Sequence, residues 1–313
     1  YGDHRDLHRV DRRQRQMCIR DRSNIPDNLW TNCASCSNII YREDIENNLY
    51  CCTNCQEPQQ ILPRQRFEIL FDEGKFKELE TPKLSSDPLN WSDISSYKDK
   101  VGLARKKFNQ RHAALVAVGS INGITSITYC MNQKFLGGSV GIEEGEAFVF
   151  ACRYAAEHKV PFIAFPQTGG QKMQHSAYAL MQMPKSIIGL QMLEAKGIPA
   201  IIMATSPVAG GVTASWFYGP SVFVFAESEN TKIMFAGPGV IKRTIGEDLP
   251  QGFQTAGYLL EKGFVDRIIP RKNHREELSN LLSILLKLEI KKAKEITDAT
   301  EQDSVSPQQT ISA

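Results

Sequence analysis

Four cysteines recur in the spacing C-x2-C-x15-C-x2-C, in "CASC" (33–36) and "CTNC" (52–55). Each C-x-x-C closes a tight knuckle that offers two thiolates to one ion, and two knuckles complete a tetrahedron. Cys33, Cys36, Cys52 and Cys55 are therefore expected to hold a structural Zn2+. Such a closed four-sulfur site leaves no coordination position open for chemistry. Its binding energy, on the order of 10 kcal/mol, suffices to fold a segment with almost no core. Cys51, beside Cys52, is expected to be a bystander.

Two glycine pairs form the second group. "FPQTGGQKMQ" (165–174) and "TSPVAGGVTAS" (205–215) each place Gly-Gly where an apolar run hands over to an amphipathic one. A strand-to-helix corner exposes backbone N–H groups, and glycine lets an oxygen approach them without meeting a Cβ. That is the geometry of an oxyanion hole, in which one donor is worth roughly 3–4 kcal/mol. Tight helix–strand packing is the alternative use of the same residues. The echo of the two corners, beside "FLGGSVG" (135–141), leaves both readings open. There is no G-x-G-x-x-G, G-K-[ST], G-x-S-x-G or H-E-x-x-H. His112, His158 and His175 read as surface or helix-face residues, and no acid–base pair stands out. Chemistry by positioning and oxyanion stabilisation fits that set.

The elements that must place these residues follow from pattern. "AALVAVGSINGITSITYCMN" reads as a hairpin turning at Asn122–Gly123. "VPFIAF", "IPAIIMAT", "SVFVFAES" and "KIMFAG" read as strands. Helices are expected at 97–108, 145–158, 175–197 with a break near Pro184, and 274–292. In 63–80, Phe67, Leu70 and Phe71 fall at helical spacing, and 81–93 reads as a linker. "KVPFIAFPQTGG" and "GIPAIIMATSPVAGG" echo one another, as stacked β–β–α turns of a spiral would.

The chain has 313 residues, a formal charge of +2 and eight cysteines. The near-balanced charge argues against a nucleic-acid or membrane-surface role, and no run nears the ~18 apolar residues of a spanning helix. Paired C-x-x-C motifs point to a reducing compartment, hence the cytoplasm. Residues 1–25 are expected to be a disordered, non-native leader and 293–313 a disordered tail. Between them lie a ribbon at 26–60 and a catalytic domain at 61–292.

From about 26 to 290 the chain resembles the β subunit of the bacterial acetyl-CoA carboxylase carboxyltransferase. "NLWTNCASC" and "CTNC" match that family's ribbon, and "DPLNWSDISSYKDKVGLA" its linker and first helix. "FLGGSVG", "FAGPGVI" and "LPQGFQTAGYLLEKGFVDRIIPR" match its later motifs. The resemblance implies an α/β fold, a crotonase/ClpP-like spiral of ββα turns preceded by a small four-cysteine zinc ribbon. It implies an α subunit partner in an α2β2 assembly, within an ATP-using ligase complex that includes biotin carboxylase. The reaction would move CO2 from biotin, held on a biotin carboxyl carrier protein, to acetyl-CoA, giving malonyl-CoA for fatty-acid synthesis. By position it assigns Gly210 and Gly211, then Gly169 and Gly170, to catalysis. Phe135, Gly137, Gly138, Lys172 and Gln174 become substrate contacts. The chain departs from the family at Thr168, Gln171 and Lys172, where Ser, Ala and Arg are usual, and at Gly219–Pro220. Those departures motivate an alternative, a catalytically impaired paralogue acting as a scaffold or regulator.

Overall fold

The computed structural model describes residues 29–247 and 249–288. The leader at 1–25, the tail at 293–313 and the first and last few residues of the two expected domains lie outside that range.

The strands are β1 (Trp30–Asn32), β2 (Ile39–Tyr41), β3 (Phe76–Glu78), β4 (Ala114–Ile121), β5 (Ile124–Met131), β6 (Phe162–Phe165), β7 (Ala200–Ala204), β8 (Val208–Ala209), β9 (Val222–Ala226), β10 (Ile233–Met234) and β11 (Arg267–Ile268). Seven of them form one sheet in the order β11-β9-β7-β6-β5-β4-β3. The pairs β3/β4 and β4/β5 are antiparallel, and the rest are parallel. β8 pairs with β10 in a small parallel sheet of its own, and β1 with β2 in the ribbon.

The hairpin turns where the sequence places it. Ile121 pairs with Ile124, and Asn122 and Gly123 take φ of +47° and +82°. A two-residue turn with both φ positive matches the right-handed twist of its strands. Buried strands send alternate residues to opposite faces. Phe162, Ala164, Ala200, Ile202 and Ala204 join one core with Phe148, Leu190 and Trp216. Ile163, Phe165, Ile201 and Met203 join the other with Phe67, Leu70, Leu278 and Leu282. Helices Ile142–His158 and Gln182–Ala195 cover the first face. Helices Pro63–Leu70 and His274–Leu285 cover the second.

Three elements differ from their sequence reading. The helix at 63 stops at Leu70, and Phe71 is extended (ψ 155°) yet still buried against Phe67, 6.0 Å between rings. The chain then gives β3, an edge strand on Ala117–Gly119. The restart near Pro184 falls at Met181, between Ala177–Leu180 and Gln182–Ala195, so proline sits in a first turn where its missing N–H costs nothing. The last helix ends at Leu285, because Lys287 turns left-handed (φ +54°) while Leu286 and Leu288 N–H close onto Leu282 and Ser283 carbonyls. Among the described residues, no helix is long and apolar enough to cross a membrane.

Candidate functional site

The ribbon brings four sulfurs together: Cys33, Cys36, Cys52 and Cys55 place Sγ atoms within 4.8 Å of one another. Cys33–Cys55 and Cys36–Cys52 Sγ separations are both 3.7 Å. A tetrahedron with arms of about 2.3 Å, the usual Zn–S length, has edges of roughly 3.8 Å. The residues present therefore fit a zinc ion. Backbone N–H groups of Ser35 and Cys55 point at Cys33 and Cys52 Sγ (3.4 Å each), and Asn38 Nδ2 points at Cys36 Sγ (3.4 Å). The Asn38 backbone N–H, helped by Asn54, lowers the Cys36 thiol to about 6, whereas burial and the neighbouring sulfurs push Cys55 up to about 12, so the quartet ionises unevenly without a cation among its sulfurs. Cys51 stays outside the quartet, donating toward the Leu49 carbonyl.

The glycine corners come together at the ends of the parallel strands. Gly169 N–H donates to the Gly137 carbonyl (3.0 Å), so the "FLGG" turn sits directly on the first corner. A Cβ on Gly138 would run into the Gln167 carbonyl, and one on Gly210 would lie 3.5 Å from Gly170 Cα. Gly210 also needs its φ of +69°. Three successive turns of the spiral thus stack backbone on backbone, which is the packing use of glycine.

Stacking consumes most of the expected donors. Gly170 N–H goes to Thr168 Oγ1 (2.9 Å) and Gly210 N–H to the Met234 carbonyl (2.8 Å). With Gly169 already bonded to Gly137, three of the four glycine amides are spent internally. Gly211, Val212 and Thr213 open the helix Gly211–Trp216, and their amides carry no hydrogen bond among those of the described residues. Around them, the buried Gln171 Oε1 and Thr213 Oγ1 are also without partners. A Cβ on Gly211 would overlap Met183 Sδ and lie 2.8 Å from Gln171 Nε2.

Other expected contacts face inward. Phe135 is buried against Phe108, 6.2 Å between rings. Lys172 is 4% exposed, and its Nζ lies 3.0 and 2.9 Å from the two oxygens of buried Glu144. Its charge is spent inside the protein, so its side chain is not offered to a ligand. Gln174 is half-buried and Gly137 exposed beside the corner.

The histidine reading needs correction at two positions. His158 is exposed, but His112 and His175 are buried, 2% and 0%. His175 Nδ1 accepts from Ile142 N–H (3.2 Å), and Nε2 donates to the Ser86 carbonyl (2.9 Å). His112 Nε2 meets Thr81 Oγ1 at 2.9 Å. Burial lowers both rings, His112 to about 4.

A carboxylate pair also escaped the sequence reading. Burial would raise Glu144, but Lys172 and the Ala113 N–H hold it down at about 2. Burial and the charge of Glu144 push the adjacent Glu143 up to about 7, against Arg105 and Arg111. The readable signal was Gly141-x-x-Glu144, where the Glu144 carboxylate accepts the Gly141 N–H (2.9 Å) and caps the helix from Ile142.

The chain matches the carboxyl transferase domain family over residues 59–307 and the acetyl-CoA carboxylase zinc finger domain over 30–55. It is 39% identical over 267 residues to the acetyl-coenzyme A carboxylase carboxyl transferase subunit beta of Dinoroseobacter shibae, covering 85% of this chain and 83% of that one. The namesake of Pelagibacter ubique is 38% identical over 266 residues, 85% of each. Among solved structures, transcarboxylase 12S with methylmalonyl-coenzyme A and methylmalonic acid bound shares the fold, with a TM-score of 0.58 at 19% identity. That match covers 77% of this chain and spans about two fifths (43%) of the transcarboxylase chain. A crotonase-type spiral behind a four-cysteine ribbon, with sequence identity along most of its length, places this chain in the family of acetyl-coenzyme A carboxylase carboxyl transferase β subunits.

Proposed function

We propose that the protein is a cytoplasmic carboxyltransferase β subunit that carboxylates acetyl-CoA to malonyl-CoA at the Gly210–Gly211 corner, in an α2β2 assembly with an α subunit. The observation that carries the site assignment is the unspent Gly211 amide, flanked by those of Val212 and Thr213. Removing a proton from the acetyl methyl moves charge onto the thioester oxygen, and a bare N–H aimed there stabilises it in the transition state. Carboxybiotin, delivered on its carrier protein by way of biotin carboxylase, supplies the CO2 and a basic nitrogen to take the proton. No carboxylate of this chain is then required, consistent with Glu144 being bound up by Lys172. Gly169, Gly170 and Gly210 build the corner rather than donate at it. The departures at Thr168 and Lys172 fit an intact corner: Thr168 Oγ1 accepts the Gly170 N–H and Lys172 neutralises Glu144.

The ribbon's own buried cluster (Cys33, Ile40, Ile45, Cys52) is separate from the two sheet cores, which supports a division near residue 60. Apolar side chains at Met173, Tyr178, Met181 and Phe235 stay 52–77% exposed on segments that lead into the corner, which supports a subunit covering it.

The experiment is reconstitution with the α subunit and carboxybiotin, following malonyl-CoA. Gly211→Val should keep zinc and assembly while kcat falls by about 10²-fold or more. Full turnover in that variant would remove Gly211 from the mechanism. Assembly of the parent chain without any turnover would favour the scaffold.

A further inference from the structure

We propose that Glu57 and Arg271 are positioning residues that make the geometry of the Gly210–Gly211 corner depend on the metal-bound state of the ribbon. The proposal rests on the reading of Gly211 above for its catalytic consequence, though not for the physical tie itself.

The tie begins at the second knuckle. Cys52 N–H donates to the Glu57 carbonyl (3.0 Å), so the turn that presents Cys52 and Cys55 to a metal also fixes the Glu57 backbone. The Glu57 carboxylate then leaves the ribbon and accepts from Ser228 Oγ (2.7 Å) and Asn230 Nδ2 (3.0 Å), 171 and 173 residues away.

Arg271 makes the second connection. Its Nη1 donates to the Leu49 and Tyr50 carbonyls (3.3 and 3.0 Å), and its Nη2 to the Gln59 carbonyl (2.9 Å), all in the ribbon. The remaining donors, on Nε and Nη2, reach Glu227 Oε1 and Oε2 (3.2 and 2.9 Å). All five N–H groups of the guanidinium are thereby used, three on ribbon backbone and two on one core carboxylate. Glu227 is also paired with Arg66, and Arg66, Glu227, Arg271 and His274 are each 4% exposed or less.

The turn 227–231 is gripped from the other side by the strand that ends in the corner. Directly beyond it, the Lys232 carbonyl accepts the Val208 N–H and the Met234 carbonyl accepts the Gly210 N–H, both at 2.8 Å. Within the turn, Ser228 N–H donates to Thr231 Oγ1 and Thr231 N–H donates back to the Ser228 carbonyl (3.1 Å each). The ribbon holds this turn, the strand β10 that follows it holds Gly210 through the Met234 carbonyl, and Gly211 is the next residue.

A replaceable salt bridge would not need this layout. Buried ion clusters return little stability compared with apolar packing, and their best-attested use is to fix one arrangement. Here the fixed arrangement is the seating of a ribbon whose buried cluster is four residues, two of them metal ligands. Loss of the metal removes most of what folds such a segment, and with it the carbonyl array around Arg271 and the hold of Glu57.

The test uses the full chain reconstituted with its α subunit. Hydrogen exchange is read in peptides covering 206–212 and 228–236, alongside zinc content and steady-state kinetics. Stripping zinc should speed exchange in both peptides by about tenfold. Glu57→Ala should retain stoichiometric zinc and the parent KM for acetyl-CoA, raise exchange at 206–212 and lower kcat by about tenfold. Glu57→Gln keeps an acceptor oxygen and should restore most of both. Parent-like exchange at 206–212 after zinc removal, or in Glu57→Ala, overturns the proposal. Faster exchange with unchanged kcat would keep the tie and discard the role given to Gly211. Arg271→Lys gives a second arm, and because Glu57 is half-buried on the ribbon, the test stands even if that variant does not fold.

Discussion

Lys172 shows how a residue two places from a glycine corner can carry charge without presenting it. Its ammonium is held by both oxygens of Glu144, and the pair is almost fully buried. Removing one partner of such a pair leaves the other charge uncompensated and costs about 3–5 kcal/mol. Lys172→Met should destabilise the chain by that order at pH 7, read from urea unfolding. The sign with pH follows from Glu144. Its folded value, about 2, lies below the unfolded one, so its stabilising contribution is present above pH ~4.5 and is lost as pH falls through about 2. In Lys172→Met the buried acid titrates upward instead, and the variant recovers by protonation. The gap between parent and variant should therefore narrow steadily from pH 7 to pH 3; a constant gap would mean that Lys172 matters for packing alone. The zinc ligands were legible because a repeated C-x-x-C is local. His175 and the Glu144–Lys172 pair were not, because Ser86 lies 89 residues from His175 and Lys172 28 from Glu144, and only the folded chain brings them together; the cap at Gly141-x-x-Glu144 alone is local.

Strands and helices were legible where their signals were local too. The Asn-Gly turn, the apolar run at 162–165 and the echo between 159–170 and 197–211 all became elements, and the echoed strands β6 and β7 are parallel neighbours. The edge strand β3 and the two-residue strand β8 carry no such period; they exist because a neighbouring strand pairs with them, β8 with the β10 that "KIMFAG" does announce. The main hairpin likewise uses a distant group. Asp72 accepts the Asn122 and Gly123 N–H groups (2.9 and 2.8 Å) and faces Arg275. Although partial burial would raise it, those two amides and Arg275 hold its carboxyl below the usual range. Asp72→Ala leaves two charge-assisted bonds unmade at a half-exposed position, for about 1–2 kcal/mol. Hydrogen exchange at Asn122 and Gly123 should accelerate while β6 and β7 stay protected. Unchanged exchange there would show that the turn holds itself through its own dihedrals.

For the molecule as a whole, two apolar segments converge on one corner without covering it. Met173, Tyr178, Leu180 and Met181 lie between the first glycine pair and Met183, which packs at Gly211. Phe235 follows the residue whose carbonyl holds Gly210, and Val240 and Ile245 continue on the helix Pro238–Ile245, which buries none of its residues in this chain. Exposed apolar side chains on a surface helix add nothing to the stability of the isolated chain, whereas in a subunit interface they supply the desolvated centre. Phe235→Asp and Met181→Asp should therefore leave the unfolding midpoint of the isolated chain nearly unchanged, within about 0.5 kcal/mol of parent stability. Association with the α subunit, measured by co-elution and titration, should weaken by at least about 2 kcal/mol per charge placed at the interface centre. Turnover should fall in proportion to the complex lost and return when the α subunit is added in excess. Should both variants bind like the parent, the partner covers a different face and these two apolar segments are not its docking surface.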